Sequence, residues 1–491
     1  MEKENKINAK QIIFMIIIGV VVIATTICFI VALNATKDTT SDITSSESIS
    51  ESASEISSEY DNIDYGTSTE VGSNTKTVEI TSGGSYDLSG SYESITINTN
   101  QNVELNLNGV EITNENGPAI YVINAKTVSI VLTGTNKITS TTTEDLDSAI
   151  YSTDDLIFSG TGSLEIKSNY DGIVSKDTLV IKSGTYIINA SDDGIRGKDS
   201  VAIVDGTFTI NAGGDGIKTT NEEDTSLGYI TIDGGTFNIT SYNDGIQAVT
   251  ELAIKGGSFT IKTTSTASTD SAKGIKAGTQ INLKGGTYNI NSVDDGIHSN
   301  GNITIDNGEY TVTSKDDGIH ADGMLTINNG TFNITAAEGI EATYVKINGG
   351  TINISASDDG INAGRKSNSY SVAVEINGGD ITIKMGSGDT DGIDSNGDLY
   401  INGGTINITG NSPFDYDGEA KKTGGTIIVN GTETDTITNQ FMGEGMNGGM
   451  QQGNNMGNGE MNRNGNGSDT NNPMMNGGNM NGGQRQGRGM R

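Results

Sequence analysis

Tryptophan is absent from this chain, cysteine occurs once and proline three times. The single Cys28 lies inside an apolar run, so no disulfide framework is possible, and cysteine says little about redox compartment. Hydrophobic residues make up only 33%, too few for a conventional compact core in 491 residues unless burial is confined to a thin, repeated layer. Length alone would allow about three ordinary domains of roughly 150 residues. Basic residues are also scarce: 29 Lys and Arg stand against 62 Asp and Glu, a formal net charge of -33. That balance excludes nucleic acid, whose phosphates would be repelled, and favours cations and, through them, acidic ligands.

One long apolar run is present. Residues 12–33, IIFMIIIGVVVIATTICFIVAL, carry no charge and are long enough to cross a bilayer. Lys3, Lys6 and Lys10 precede the run, which predicts a cytoplasmic N-terminus at 1–11 and a single-pass anchor in the cell membrane, with the remainder outside. A cleavable signal peptide is the alternative, but its apolar region is shorter and no clean small-x-small site follows. Cys28 as a lipid-attachment site is disfavoured by the preceding Thr25-Thr26-Ile27. Residues 34–75 are rich in Ser, Thr, Glu and Asp and read as an extended stalk. Residues 436–491 form a Gly/Asn/Met-rich tail expected to be disordered; its methionines could take soft Cu(I), although a spacer explains them as well.

Between stalk and tail, 76–435 is a repeat array with 68 Gly in the whole chain to punctuate it. Aligned on the Gly of Asp-Gly-Ile, the repeats fall at Gly172, Gly194, Gly216, Gly245, Gly274, Gly296, Gly318, Gly339, Gly360 and Gly392. Successive differences are 22, 22, 29, 29, 22, 22, 21, 21 and 32, with polar inserts such as NEEDTSLGY in the longer intervals. A fixed period of this size signals a solenoid. Each repeat holds three short alternating segments, with apolar pairs two apart such as Ile303/Ile305 and Phe332/Ile334. Three strands per coil of about 22 residues, apolar faces inward, predict an all-β right-handed parallel β-helix. Leucine-rich and nonapeptide calcium repeats are excluded by consensus and period. The longer strands of 76–172 would cap the exposed edge.

Acid precedes nearly every aligned glycine: Asp171, Asp193, Asp215, Asp244, Asp295, Asp317, Glu338, Asp359 and Asp391. Four repeats double it, as Asp192-Asp193, Asp294-Asp295, Asp316-Asp317 and Asp358-Asp359. Stacked about 4.8 Å apart, two carboxylates repel by about 0.9 kcal/mol in water and about 3.5 kcal/mol at an effective dielectric of 20. A cation between rungs would relieve this, and calcium, with 6–8 oxygen ligands, suits shared carboxylates better than magnesium. The candidate calcium ligands are Asp171, Asp192, Asp193, Asp215, Asp244, Asp294, Asp295, Asp316, Asp317, Asp358 and Asp359. A bland alternative is that Asp only initiates the turn before Gly. His298 and His320 share one slot in adjacent rungs, filled elsewhere by Arg196, Lys218, Gln247, Lys276, Glu341, Asn362 and Asp394. That variety marks the slot as outward, with a transition-metal site there a minor alternative.

The stretch NYDGIVSKDTLVI…INASDDGIRGKDSVAI…FTINAGGDGIK, with the earlier LNGVEITNENGPAIYV, resembles a bacterial cell-surface carbohydrate-binding family with a polysaccharide-lyase-like, pectate-lyase-like β-helix. The resemblance covers roughly 76–432. It implies a calcium-loaded β-helix that binds cellulose and acidic polymers such as polygalacturonate, and Asp192, Asp193 and Asp215 match the family's acidic turn positions. The expected function is non-catalytic, calcium-dependent polysaccharide binding by a monomer. Arg196, Lys198, Lys218, Lys276, His298 and His320 are candidate carbohydrate-binding residues beside the ladder. A calcium-dependent lyase is the first alternative, with Arg196, Lys198, Lys218 or Lys276 as base; pairing with Asp favours their charged forms and opposes that role. A rigid surface spacer or adhesin is the second. The repeated Phe208, Phe237, Phe259, Tyr288, Tyr310 and Phe332 share parity with core Ile and Val, so recognition falls to outward Thr, Asn, Asp and Lys rows.

Overall fold

A computed structural model describes residues 52–73, 76–266, 271–386 and 390–439. The expected anchor at 12–33, the segment before it, the first part of the stalk and the tail from 440 onward lie outside the described residues. Among the described residues no helix is long and apolar enough to cross a membrane.

Among the described residues forty-three strands are present, and all but the last pair in parallel to build a β-solenoid with three strands to a coil. One coil runs Ile297–Ser299, Asn302–Ile305, Glu309–Thr313 and stacks on the next through Ile297↔Ile319, Ile303↔Leu325 and Tyr310↔Phe332. The longer intervals leave the register intact. The insert before Tyr229–Ile232 bulges out, and Ser200 still faces Tyr229. Successive first strands pair without a break from Thr77–Ile80 to Ser412–Tyr416.

Alternation decides what is buried. Third strands such as Thr236–Ser241 point every second side chain inward, and Ile239 and its counterparts are fully buried. Tyr186, Phe208, Phe237, Phe259, Tyr288, Tyr310 and Phe332 form one internal stack, with centroids 4.7–5.0 Å apart and planes within 9°. Burying each ring contributes roughly 1.5–3 kcal/mol. The buried tyrosines remain satisfied because each hydroxyl donates to a corner carbonyl: Tyr186 to Ser183 at 2.7 Å, Tyr288 to Gly285 at 2.8 Å and Tyr310 to Asn307 at 2.9 Å.

Glycine in Asp-Gly-Ile is required by close approach. A Cβ on Gly194 would stand 2.5 Å from the Gly216 carbonyl oxygen in the next coil. At the corner before each third strand the need is conformational, as at Gly206 with φ 148°.

Both ends depart from expectation. The stalk is not extended beyond residue 52: Ala53–Ser58 forms a helix, α1, with a Ser52/Glu55 capping box. Ala53 and Ile56 pack on Ile157, Val180 and Ala202, which face outward from the second strands. Asp233 accepts the Ala53 and Ser54 amides at 3.2 and 3.0 Å, and Tyr60 donates to Asp155 at 3.1 Å. Composition alone pointed to an extended chain; three apolar outward side chains on the solenoid give this segment a place to dock. At the other end, Thr432–Thr434 turns back antiparallel on Thr426–Val429 through Asn430-Gly431, both at positive φ, and covers that sheet edge.

Candidate functional site

The acidic ladder occupies the turn before each first strand, and its two carboxylate oxygens have separate tasks. Oδ1 accepts the backbone N–H one coil further on. Asp171 takes Asp193 N at 2.9 Å, Asp193 takes Asp215 N at 2.8 Å, Asp215 takes Asp244 N at 2.8 Å, and Asp244 takes Lys273 N at 2.7 Å. Asp317 N reaches Asp295 at 3.1 Å and Asp391 N reaches Asp359 at 2.8 Å. These bonds join coils, so Asp does more than start a local turn. Asp171, Asp193, Asp215, Asp244, Asp295 and Asp317 are accordingly buried.

Oδ2 faces the chain's own cations. Arg196 contacts Asp171 Oδ2 at 2.6 Å and also pairs with Asp147. Lys218 reaches Asp215 at 2.7 Å and Asp193 at 3.3 Å, and Lys276 reaches Asp244 at 3.5 Å. Lys273, which stands in the ladder where an acid is expected, reaches Asp294 and Asp295 at 2.7 Å each. The slot read as outward is therefore folded against the ladder: Arg196 and Lys218 each reach two carboxylates and Lys276 one, because coils stack only about 4.8 Å apart. Lys198 lies in the following turn and makes no ion pair among the described residues.

Burial pushes Asp171 up to about 7 and Asp244 up to about 6 even though Arg196 and Lys276 oppose it. At Lys218 burial acts against the charge, yet Asp215 and Asp193 prevail and hold the ammonium above its usual range, which is unsuited to a base.

The outer members of the doubled pairs are more open: Asp192, Asp316 and Asp358 are exposed and Asp294 is half-buried. Carboxylate oxygens of Asp171, Asp192 and Asp193 lie within 4.8 Å of one another, as do those of Asp294, Asp295 and Asp316. A cleft of about 330 Å³ adjoins the second group and includes Asp317, His298, His320, Glu338, Glu341 and Lys366. His298 contacts Asp295 at 2.7 Å, and His320 contacts Asp317 at 2.6 Å and Glu341 at 2.9 Å. Burial opposes the charge on His320, but bonds from Asp317 and Glu341 outweigh it and raise the imidazole to about 10.

Past Lys366, which pairs with Glu341 in the cleft that Glu338 also lines, no basic residue pairs with the ladder among the described residues. Burial, followed by neighbouring acids, raises Glu338 to about 8, Asp359 to about 6 and Asp394 to about 7. None of the three has an ion pair among the described residues. Asn362 donates to Glu338 at 2.9 Å, and its Oδ1 is buried with no partner among the described residues. Carboxylates and a spare amide oxygen are donors of the kind calcium takes, but the oxygens of Glu338, Asp359 and Asp394 are not drawn together as those of Asp171, Asp192 and Asp193 are. The coils around Lys218 and Lys273 fit it less well, since an ammonium already occupies the gap. Glu338, Asn362, Asp391 and Asp394 were not among the sequence candidates. The signal was the slot itself, which changes from basic residues to Glu341, Asn362 and Asp394.

The third strands offer a different surface. Thr185, Thr207, Thr236, Ser258 and Thr287 follow one another in register and are exposed, and Asn238, Thr260, Asn289 and Thr311 form a parallel row. Side-chain amides bond along the stack, as Asn211 to Asn189 at 3.0 Å.

Among solved structures, a polysaccharide lyase-like protein from C. thermocellum, as its gadolinium derivative, is 31% identical over 42% of this chain and 87% of its own, with a TM-score of 0.38. No curated protein matches the chain. A family model described as carbohydrate-binding domain-containing protein matches residues 74–318 and 311–486. By the extent of that match, the chain belongs to this carbohydrate-binding family.

Proposed function

We propose that the solenoid is a non-catalytic polysaccharide-binding module that holds its polymer on the third-strand face and uses calcium at the ladder. The observation that carries this reading is the register-locked Thr/Asn array: polar side chains repeat at the coil spacing on a flat face, while the aromatic column is wholly internal. A repeating array of hydroxyls and amides is matched to a repeating polymer, and each contact is a modest hydrogen bond that gains through number. Calcium near Glu338, Asn362, Asp359 and Asp394 would offset the crowded carboxylates and could bridge to a uronate. The ion-paired Arg196, Lys218 and Lys276 favour binding over proton abstraction. Residues 12–33 would tether the module to the cell membrane with the solenoid outside.

Sedimentation with insoluble cellulose and with immobilised polygalacturonate, each with calcium or chelator, tests the reading. Retention is expected on at least one polymer, with loss on chelation for the acidic one. Asn238→Glu with Thr260→Glu should cut retention about tenfold, equivalent to about 1.4 kcal/mol, with an unchanged circular dichroism spectrum. Absence of retention on every polymer would sink the proposal, and a rise in absorbance from unsaturated product would replace it with a lyase.

A further inference from the structure

The chain's two histidines, His298 and His320, stand in consecutive coils with ring centroids 4.7 Å apart. Nε2 of His320 lies 3.2 Å from Asp322 Oδ1. A carboxylate only accepts, so Nε2 carries a hydrogen. Nδ1 of the same ring has Asp317 Oδ2 at 2.6 Å and Glu341 Oε2 at 2.9 Å. A neutral imidazole has one N–H, and here it is already committed at Nε2. His298 differs: its Nε2 lies 2.8 Å from the side-chain amide of Asn300, which can accept or donate, so a neutral ring can direct its one N–H from Nδ1 to Asp295 Oδ2 at 2.7 Å. The His320 Nδ1 therefore needs either a second proton or a metal ion to meet the carboxylates it faces. At His320 one hydrogen would have to be divided between two carboxylates.

We infer that this cluster is a transition-metal site, with His320 Nδ1, Asp317 Oδ2 and Glu341 Oε2 as ligands. Donor atoms of these three lie within 4.8 Å of one another, and those of Asp295, His298 and His320 do as well. His320 is 9% exposed, Asp317 5% and Glu341 4%, so the donors are held in packed surroundings. Their orientation is set from behind. Asp322 fixes the His320 tautomer that leaves the Nδ1 lone pair free, and Lys366 holds the other oxygen of Glu341 at 2.7 Å. Ligating histidines depend on such partners. One imidazole and two carboxylates suit zinc or a similar borderline divalent ion and leave a fourth position toward the cleft. Calcium prefers oxygen alone, so the imidazole distinguishes this site from the adjoining one proposed near Asp359, to which Asn362 links it by reaching both Glu338 and Glu341.

Because the chain has two histidines, ¹⁵N-histidine labelling of the full-length protein yields two ring systems. Zinc chloride is titrated into metal-stripped protein at neutral pH. The His320 Nδ1 resonance is expected to move to a metal-bound position, saturating at one equivalent and unaffected by excess calcium. Asp322→Ala removes a partner but no ligand, and calorimetry should show zinc weakened about 10- to 100-fold. His320→Gln should abolish tight binding. Imidazoles indifferent to zinc, or equally shifted by calcium, would overturn the inference; the unmutated protein decides this even where His320→Gln fails to fold.

Discussion

Asp215 shows how one side chain serves two neighbours. Its Oδ1 accepts the Asp244 amide and its Oδ2 meets Lys218. Asp215→Ala leaves a buried N–H without an acceptor and is expected to cost about 1–3 kcal/mol, read from the urea midpoint. Asp215→Asn keeps an acceptor in place and should cost clearly less. Equal losses for the two variants would refute the coil-to-coil role. The sequence made the ladder visible because Asp-Gly-Ile recurs with its period. It hid the division of labour between the oxygens, since no pattern of residue types reveals that the amide served belongs to the following coil. The basic slot was misread for a related reason: variable residue types indicate exposure only when nothing nearby demands charge, and here two carboxylates do.

Among elements, α1 was the least legible. Ala53 and Ile56 are two apolar residues in a Ser/Glu-rich stretch, and only Ile157, Val180 and Ala202 on the second-strand face give them a role. Ser52→Ala should remove about 1 kcal/mol through its cap, and Ile56→Ala more. The expected result is faster protease cleavage between 52 and 68, with the solenoid melting where it did before. A matching fall in the main transition would instead make α1 part of the cooperative core. The strands were legible throughout 172–392, because alternation and a basal period of 21 to 22, lengthened only by polar inserts, point to the same answer. Even Lys273, an exception in the ladder, keeps its strand in place, since register is carried by Ile275 on Ile246 and Ile297.

At the scale of the molecule, charge is unevenly compensated along the stack. Asp171, Asp244, Asp359, Asp394 and Glu338 have raised folded-state values, between about 6 and about 8, with burial as the first cause. A raised carboxyl contributes stability that is complete below its unfolded value near 4 and is lost as pH climbs through the folded one. His320, raised to about 10, has the same sign, present below about 6.5 and lost above. Glu341, lowered to about 2, acts oppositely, but only as pH falls below its unfolded value near 4.3. Metal-stripped protein should therefore melt at a lower temperature at pH 8 than at pH 5, and calcium should narrow that gap. A melting temperature that rises from pH 5 to pH 8 under chelation would contradict the assignment. In a solenoid, where each coil contacts its neighbours, the loss should begin in the coils of Glu338 to Asp394.

The amide bonds to the ladder carboxylates run from the later coil to the earlier one, while the glycine beside each runs the other way: Gly172 N donates to the Asp193 carbonyl and Gly194 N to that of Asp215, at 2.9 Å each. A chain that emerges from its N-terminal end thus finds, at each finished turn, a seated carboxylate awaiting the next amide. The same chain also holds out the amide of the neighbouring glycine, which only the carbonyl of the next coil satisfies. Each seam between coils is thus clasped by donors from both sides, so a coil removed from either end strands a donor on the one that remains.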